Sequence, residues 1–417
     1  MTDSPRPRHR VLKTVGAVLL AVIVAVVAVT VVSSVRHSIP GLNIPEPTRL
    51  AQIATEAPSA QGRHFPSRPV ENAGPVDEIP ASDASDASDA SGAGMPDTVP
   101  WKGRDIPVQE MLDTTESRAF VVLHKGALVD EWYADDLAPD SRLSSWSMAK
   151  SVVSLMVGQA VGRGELSEDD LMVDILPEFR VEKNADGTEP DYNRITVRDL
   201  LDMASGIDVP ENYNPWWPMT GTARLLLSTD LPGYLMKHRE TSFTPGSRSE
   251  YRSVDTQMLS MVLTRVTGKP LSELASEGIW TPVGAEFDAT WNLDRDGGIE
   301  KGFCGLNAAP RDFARIGQMV LDDGAVGDRQ VVPTDWIDRI STPGDRTIDG
   351  WGYSAQFWAA PGGDGDFNAL GVYGQYIWID PATETVIVKL SDLGTEQDEL
   401  ETVEAMRSIA AQLDGQD

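Results

Sequence analysis

Strand-like patterns at both ends of the folded region, with helix-like patterns between them, constrain the fold of this chain more than any other feature. Residues 118–134 alternate apolar and polar side chains on either side of Lys125-Gly126, which predicts a β-hairpin. Near the other end the alternation returns in three stretches, over residues 351–359, 373–379 and 385–391. Helical periodicity fills the interval and the closing segment, over residues 147–162, 195–205, 221–237, 254–267, 270–278, 310–322 and 395–413. We therefore predict an α+β fold: an antiparallel sheet formed from both ends of the folded region, flanked by helices and carrying a large, mostly helical insertion.

The N-terminus contains a stretch that is typical of a membrane-spanning helix. Residues 14–35 carry no charge and are mostly Val, Ala and Leu. About 20 apolar residues in a helix cross the hydrocarbon core of a bilayer. Residues 1–13 form a basic tail, which the positive-inside rule places in the cytoplasm. We predict a single-pass signal-anchor with the rest of the chain extracytoplasmic, and the alternative is a cleaved signal peptide that yields a secreted form.

The residues after this stretch have the composition of a linker. Residues 36–98 are rich in Pro, Ser, Ala, Asp and Glu, and they repeat the triplet SDA between Ser82 and Ala90. Such a segment buries too little apolar surface to offset its chain entropy, so we predict a disordered extracytoplasmic linker. The folded domain is then predicted over residues 99–417, a length that supports a large hydrophobic core.

Charge and the scarcity of Cys and His exclude several classes of function. Lys and Arg number 35 against 64 Asp and Glu, which gives a formal net charge of −29 and argues against a nucleic-acid partner. Cys304 is the single cysteine, which excludes an intrachain disulfide. The 5 histidines include no pair at metal-ligand spacing, and none accompanies a G-x-S-x-G motif. We therefore predict a protein without metal or cofactor.

A serine and a lysine three residues apart are the strongest chemical signal. Ser147 and Lys150 stand at the start of a predicted amphipathic helix, and this spacing places both side chains on one helix face. Serine needs a base to become a good nucleophile, and a lysine held away from water binds its proton less tightly. A helix N-terminus also offers free N–H groups to an oxyanion. Chance produces this spacing often, and four other serines lie nearby, namely Ser144, Ser145, Ser151 and Ser154.

Two later motifs, in a fixed order, complete a recognisable pattern. Thr244–Asp255 contains a turn that leads into Tyr251-Arg252-Ser253 and a helix, and Gly371-Val372-Tyr373-Gly374-Gln375 opens a late strand. Together with the Ser-x-x-Lys segment they resemble the serine β-lactamase and penicillin-binding-protein superfamily. The class C-like branch, with its esterases, D,D-peptidases and 6-aminohexanoate-dimer hydrolases, is the most similar. The resemblance extends over about residues 105–412, with further likeness in three segments at residues 162–178, 195–206 and 305–324.

The resemblance implies roles for individual residues. Ser147 looks like the acylated nucleophile, Lys150 like its proton acceptor and Tyr251 like the group that relays a proton to the leaving group. The backbone N–H groups of Ser147 and Val372 are the implied oxyanion donors. Ser253 replaces the asparagine of the family's Tyr-x-Asn motif, and the Lys-Thr-Gly motif appears as Leu-Gly-Val or Ala-Leu-Gly. Because that lysine is missing, the chain departs from an efficient β-lactamase.

Four residues are candidates for substrate binding under the same resemblance: Tyr213, Ser253, Asn307 and Gly371. Tyr213 lies in a loop rich in Trp and Pro, where packing within the loop is the alternative. Asn307 precedes a helix that begins near Pro310, so capping of that helix is its alternative. Amide-oligomer cleavage in the family involves an acidic residue on the loop that contains Tyr213. Residues 212–228 of this chain contain no acidic residue.

These observations lead to a functional hypothesis. We predict a serine hydrolase that cleaves an ester or amide bond in a small molecule or peptide, through an acyl-enzyme on Ser147 with proton transfer by Lys150 and Tyr251. One alternative is a D,D-peptidase-like activity on cell-wall peptides. The other is a non-catalytic envelope protein that binds peptides or peptidoglycan in the same cleft. The predicted partners are the substrate and, through the N-terminal helix, a membrane.

Overall fold

A computed structural model describes residues 43–76, 79–81, 95–212, 220–394 and 398–415. The strands are β1 (Ser67–Val70), β2 (Thr98–Trp101), β3 (Arg104–Pro107), β4 (Ser117–His124), β5 (Ala127–Tyr133), β6 (Leu143–Ser144), β7 (Ala289–Asn292), β8 (Leu306–Ala308), β9 (Ala325–Val326), β10 (Arg329–Gln330), β11 (Thr347–Ile348), β12 (Trp351–Ser354), β13 (Phe357–Ala359), β14 (Phe367–Gly371), β15 (Gln375–Asp380) and β16 (Thr385–Ser391). The α-helices are α1 (Pro47–Thr55), α2 (Val108–Thr114), α3 (Met148–Gly162), α4 (Met172–Ile175), α5 (Val197–Leu201), α6 (Gly221–Leu226), α7 (Leu231–Leu235), α8 (Ser253–Thr267), α9 (Leu271–Ala275), α10 (Pro310–Leu321), α11 (Thr334–Ser341) and α12 (Glu399–Asp414). Short 3₁₀-helices occupy Pro58–His64, Pro177–Phe179 and Asp191–Arg194, and Ser276–Trp280 is a π-helical turn.

The main sheet joins strands from both ends of the folded region, as the sequence predicted. Its 8 strands run in the order β11-β12-β13-β14-β15-β16-β4-β5, and each neighbouring pair is antiparallel. Val388 of β16 lies opposite Val121 of β4, so the late strands are joined to the early hairpin. The hairpin turns at Lys125 and Gly126, whose φ values of 50° and 76° suit the right-handed twist of the strands.

Both faces of this sheet are covered by helices, because its central strands carry apolar side chains on both sides. In β4, Val121 and Leu123 pack towards α3 and α10, whereas Phe120 and Val122 pack towards α2 and α12. The sequence of a strand that is buried on both faces is a continuous run of apolar residues rather than an alternation of apolar and polar residues. The sheet is therefore the middle layer of an α+β domain, and β14 meets the beginning of α3 on the face that carries the insertion.

The predicted helical insertion lies between β6 and β11. Helices α3 and α8 pack against one another at its centre. A small second sheet, in the order β1-β7-β8-β6, lies beside them. In its pairing of β6 with β8, Leu143 lies opposite Ala308 and Ser144 opposite Asn307. Because β6 ends only three residues before Ser147, this pairing fixes where α3 begins.

The segment from α1 to β1 is folded onto the domain, whereas the sequence predicted a disordered linker over residues 36–98. We call residues 43–70 the N-terminal arm. Its strand β1 pairs with β7 in the small sheet, and Val70, Phe65 and Ile53 are buried. The prediction is wrong for the arm because its few apolar side chains are spaced among many Pro and polar residues. An averaged composition conceals such contacts, which form only with distant parts of the chain.

The predicted membrane anchor is to be compared with the helices that the structure describes. Residues 14–35, predicted as the anchor, and the SDA repeats of residues 82–90 lie outside the described residues. Within the described ranges no helix is both long and apolar enough to cross a bilayer. The longest described helix, α12, has 16 residues, which at 1.5 Å each give about 24 Å against a hydrocarbon core of about 30 Å. This finding contradicts the predicted single-pass membrane location, which we do not retain.

Candidate active site

The Ser-x-x-Lys segment forms a contact between its two functional side chains. Ser147 is the residue that precedes α3, and Lys150 lies in the first turn of the helix. Lys150 Nζ donates a hydrogen bond to Ser147 Oγ over 2.9 Å. The same Nζ donates to the carbonyl oxygen of Phe303 over 2.8 Å, which holds the lysine side chain in place. The predicted proximity on one helix face is therefore present.

Lys150 is buried, and its surroundings weaken its hold on a proton. Only 2% of the residue is exposed. Burial lowers the pKa of Lys150 to about 8 from an ordinary value of 10.5, and the charge of Glu211 opposes this by raising it. The ammonium group also lies 5.0 Å from the centre of the Tyr251 ring. A lysine with this pKa is partly neutral near pH 7 and can accept a proton from a neighbouring hydroxyl.

Tyr251 lies just before α8 and lines the same cavity as Ser147. Burial, assisted by the charge of Glu211, raises the pKa of Tyr251 well above 10, and the interaction of its hydroxyl with Ser147 opposes this. The phenol consequently stays protonated at neutral pH. Its ring packs on Trp358 with centroids 5.4 Å apart, and Tyr353 approaches the ring edge-on at 6.4 Å. This aromatic packing fixes the direction of the hydroxyl.

The end of β14 runs directly against the beginning of α3. A Cβ atom on Gly371 would lie 2.6 Å from Ser145 O and 3.1 Å from Ser147 N, so a side chain at this position would push the strand away from the helix. Val372, the next residue, lines the same cavity as Ser147. The glycine therefore permits the close approach of the two backbone segments that the sequence implicated as oxyanion donors.

Ser147, Tyr251 and Val372 open onto a cavity of about 580 Å³. Trp351 and Trp358 contribute aromatic surface. The ionisable side chains of the described lining, apart from Tyr251, are all acidic, and they are Glu211, Glu250, Asp349 and Glu399. Burial and the charge of Asp349 raise the pKa of Glu399. The cavity thus combines an activated serine with aromatic walls and an acidic rim.

Glu211 is a cavity residue that the sequence reasoning missed. Its carboxylate accepts hydrogen bonds from Ser253 N and Ser253 Oγ, both over 2.8 Å, and from Thr222 Oγ1 over 2.7 Å. Ser253, whose contact with substrate stays a prediction, begins α8 and holds Glu211; it is 1% exposed and is not among the described residues that line the cavity. Glu211 immediately precedes residues 212–228, the stretch of the loop in which the sequence has no acidic residue.

The other predicted substrate-binding residues have different outcomes. Asn307 is 6% exposed and lies in the small sheet, where Ser144 Oγ donates to its Oδ1 over 2.8 Å and its Nδ2 donates to Gly305 O over 3.0 Å. These contacts give it a structural role behind the nucleophile, its contact with substrate stays a prediction, and the helix-capping alternative is not observed. Gly371 lies at the site as described above. Tyr213 lies outside the described residues.

Cys304 lies close to the site, but its thiol is unreactive at neutral pH. Burial raises the pKa of its thiol to about 12. A thiol with that pKa is protonated at neutral pH and is a poor nucleophile. Within the described ranges, no group of three or more His, Cys, Asp or Glu side chains is placed to hold a metal ion.

Comparisons with known proteins place this geometry in context. Residues 108–411 match the family model described as Beta-lactamase. The chain is 29% identical over 307 residues to a 6-aminohexanoate-dimer hydrolase from Paenarthrobacter ureafaciens, covering 68% of this chain and 74% of that protein. It is 30% identical over 170 residues to the esterase EstB of Burkholderia gladioli, covering 38% of this chain and 40% of the esterase.

A solved structure extends the likeness to the fold. A Bacillus anthracis protein, provisionally described as a 6-aminohexanoate-dimer hydrolase, superimposes with a TM-score of 0.70. The two chains are 23% identical, and the match covers 90% of this chain and 96% of the other. At that identity the likeness concerns the fold alone, and it includes more of the chain than the family model does.

Proposed function

Because the chain belongs to the Beta-lactamase family, as the motif resemblance predicted, we propose that it hydrolyses esters or amides through an acyl-enzyme on Ser147. Related members are serine hydrolases, among them an amidase and an esterase. The observation that carries the proposal is the 2.9 Å contact between Ser147 Oγ and a buried Lys150 whose pKa is lowered to about 8. A non-catalytic binding protein would have no need of a lysine in that state.

Acylation begins with transfer of the Ser147 proton. Neutral Lys150 accepts the hydroxyl proton as Oγ attacks the substrate carbonyl, and the C–O bond to the enzyme forms. With a pKa of about 8, about one-tenth of Lys150 is neutral at pH 7, against about one in 3,000 for an ordinary lysine. Burial therefore increases the share of Lys150 that is available as a base.

The tetrahedral intermediate needs an acid and two hydrogen-bond donors. Tyr251, protonated because its pKa is raised, is suited to give a proton to the departing oxygen or nitrogen, and the Lys150 ammonium then returns a proton to the Tyr251 phenolate, which restores both groups. The N–H groups of Ser147 and Val372 supply the oxyanion donors in this proposal, supported by the closeness of β14 to α3. Water then attacks the acyl group by the reverse proton transfers, and the acid product leaves.

The proposed base gives the reaction a specific pH dependence. Because Lys150 acts when neutral, kcat/KM for a neutral ester should rise with pH and level off above an apparent pKa of about 8. The charge of Glu211 raises the pKa of Lys150, so Glu211→Gln should move the midpoint to lower pH. Initial rates between about pH 6 and 9, corrected with Ser147→Ala as the blank, measure the midpoint in the wild type and its shift in Glu211→Gln. A profile that is flat over this range would remove Lys150 from the role of base.

The acidic lining should also select among substrates by charge. Of three matched 4-nitrophenyl esters with a six-carbon acyl chain, we expect the one ending in a carboxylate to have kcat/KM at least about tenfold below the one ending in a methyl group. The ester ending in an ammonium should equal or exceed the neutral one. High salt should narrow these differences, because screening weakens the field of the cavity.

The same experiment distinguishes the hydrolase classes in the family. A D,D-peptidase-like enzyme or a β-lactamase must hold a substrate carboxylate, so preference for the anionic ester would favour those activities. A second candidate substrate is a short amide with a free amino end, which the position of Glu211 in the cavity favours. The 6-aminohexanoate dimer, for which the Paenarthrobacter relative is named, is the direct test of this amide reaction, with the products followed by mass spectrometry.

A further inference from the structure

Each backbone segment of the proposed oxyanion hole contains a bulky residue in a left-handed conformation. Trp146, immediately before Ser147, has a φ of 48°, and Tyr373, immediately after Val372, has a φ of 72°. Side chains other than those of Gly, Asn and Asp rarely adopt such angles, which cost free energy relative to glycine. Gly374 follows with a φ of 82°, so a glycine at 373 would fit the turn without strain.

The two strained residues touch one another. Their rings lie edge to face, with centroids 5.0 Å apart and planes inclined at 64°. This is a preferred geometry for an aromatic pair. Because Trp146 belongs to the start of α3 and Tyr373 to the turn after β14, the ring contact spans the gap between the two donor segments. It therefore acts on the separation of the Ser147 and Val372 backbones.

Each of the two donor segments is also held in place by hydrogen bonds to another part of the domain. Trp146 is 7% exposed, and its Nε1 donates to the carbonyl oxygen of Pro58 in the N-terminal arm over 3.1 Å. On the other side, the buried Gln375 Nε2 donates to Val372 O over 3.3 Å and to Ser391 O over 2.7 Å. The turn is thereby tied to β16 and the helix start to the arm. The ring pair closes the remaining link between them.

We propose that Trp146 and Tyr373 are positioning residues that hold the backbone N–H groups of Ser147 and Val372 at the spacing required by an oxyanion. This inference rests on the proposed function. Neither side chain needs to touch the substrate. Loss of the ring contact should weaken stabilisation of the tetrahedral intermediate while leaving ground-state binding nearly unchanged, so its effect should fall on kcat rather than on KM.

The test compares variants of Tyr373 in the full chain. Tyr373→Gly removes the ring and relieves the backbone, whereas Tyr373→Phe keeps the ring. We expect Tyr373→Gly to lower kcat by about 10- to 100-fold with KM changed by less than about threefold, and Tyr373→Phe to restore most of kcat. Affinity for an alkyl boronic acid, which forms a tetrahedral anionic adduct on serine, should fall by a similar factor in Tyr373→Gly. Asp323→Gly is the matched control, since the exposed Asp323 (φ 53°) precedes Gly324 (φ 81°) in the turn before β9.

The outcomes separate this inference from the proposed function. A Tyr373→Gly protein with wild-type kcat and boronic-acid affinity would overturn the positioning role. If that variant does not fold, Tyr373→Leu, which keeps the strained backbone but removes the ring, should show the same loss of kcat, and wild-type kcat in it would equally overturn the role. An inactive wild type that is indistinguishable from Ser147→Ala would instead reject the proposed function.

Discussion

Replacing Ser147 by alanine should abolish ester hydrolysis, with a fall in kcat of about 10⁴-fold or more. The variant removes the oxygen that Lys150 Nζ contacts over 2.9 Å, and no acyl-enzyme can then form at this position. Removal of a single hydroxyl should leave the fold intact. Steady-state rates with a neutral 4-nitrophenyl ester, together with thermal unfolding, measure both effects.

Ser151→Ala provides the matched control for this prediction. Ser151 lies one turn further along α3, is also buried, and donates its hydroxyl to Gln356 O over 2.7 Å. Its loss should cost stability of about 1 kcal/mol and leave kcat within a few-fold of the wild type. If Ser147→Ala kept its activity while Ser151→Ala lost it, the nucleophile would have to be sought elsewhere in the segment.

Removal of the N-terminal arm should have the second large effect, this time on stability. A chain that begins at residue 99, the predicted start of the domain, lacks the arm together with residues 71–98, and so loses the buried side chains of Ile53, Phe65 and Val70. Burial of three such side chains contributes about 5 kcal/mol or more, a large share of the stability of a typical domain. We expect Tm to fall by about 10 °C relative to a chain that begins at residue 43, or the shorter chain to fail to fold.

The arm also contacts the residues just before Ser147, so its loss should lower the catalytic rate as well. Gly62 N donates to Ser144 Oγ over 3.1 Å, and Pro58 O accepts from Trp146 Nε1. We expect kcat of any folded shorter chain to fall about tenfold or more, because the backbone before Ser147 loses these supports. Equal Tm and equal kcat for the two chains would show that the arm is the mere linker that its composition predicts.

The contact between Ser147 and Lys150 was predictable from a local motif. The two residues are three apart on a helix, and helical geometry alone brings such side chains together. The sheet was also predictable, because its strands carry period-two or continuous apolar patterns at both ends of the folded region. The role of Tyr251 was predicted from the order of the motifs and not from local geometry. Its proximity to Ser147 depends on the packing of α8 against α3, which spacing along the chain does not reveal.

The hydrogen-bond partners of the residues around Ser147 and Lys150 could not be predicted from the sequence, for a physical reason. Ser253 and Asn307 are both polar and near motifs, yet each is used in a buried hydrogen-bond network with partners far away in sequence, Glu211 and Ser144 respectively. The Trp146–Tyr373 contact likewise joins two distant parts of the chain. The spacing of residues along the chain does not predict such contacts, because they form only when the sheet and the insertion pack together.

The most direct test of a Ser147 acyl-enzyme is intact-mass spectrometry of the full chain after treatment with a fluorophosphonate. We expect a single adduct that maps to Ser147, no adduct on Ser147→Ala, and labelling slowed by at least about 100-fold in Lys150→Met, which keeps the apolar stem but removes the base. An unlabelled but folded and monodisperse wild type, or an adduct that persists in Ser147→Ala, would contradict the assignment of Ser147 as the nucleophile.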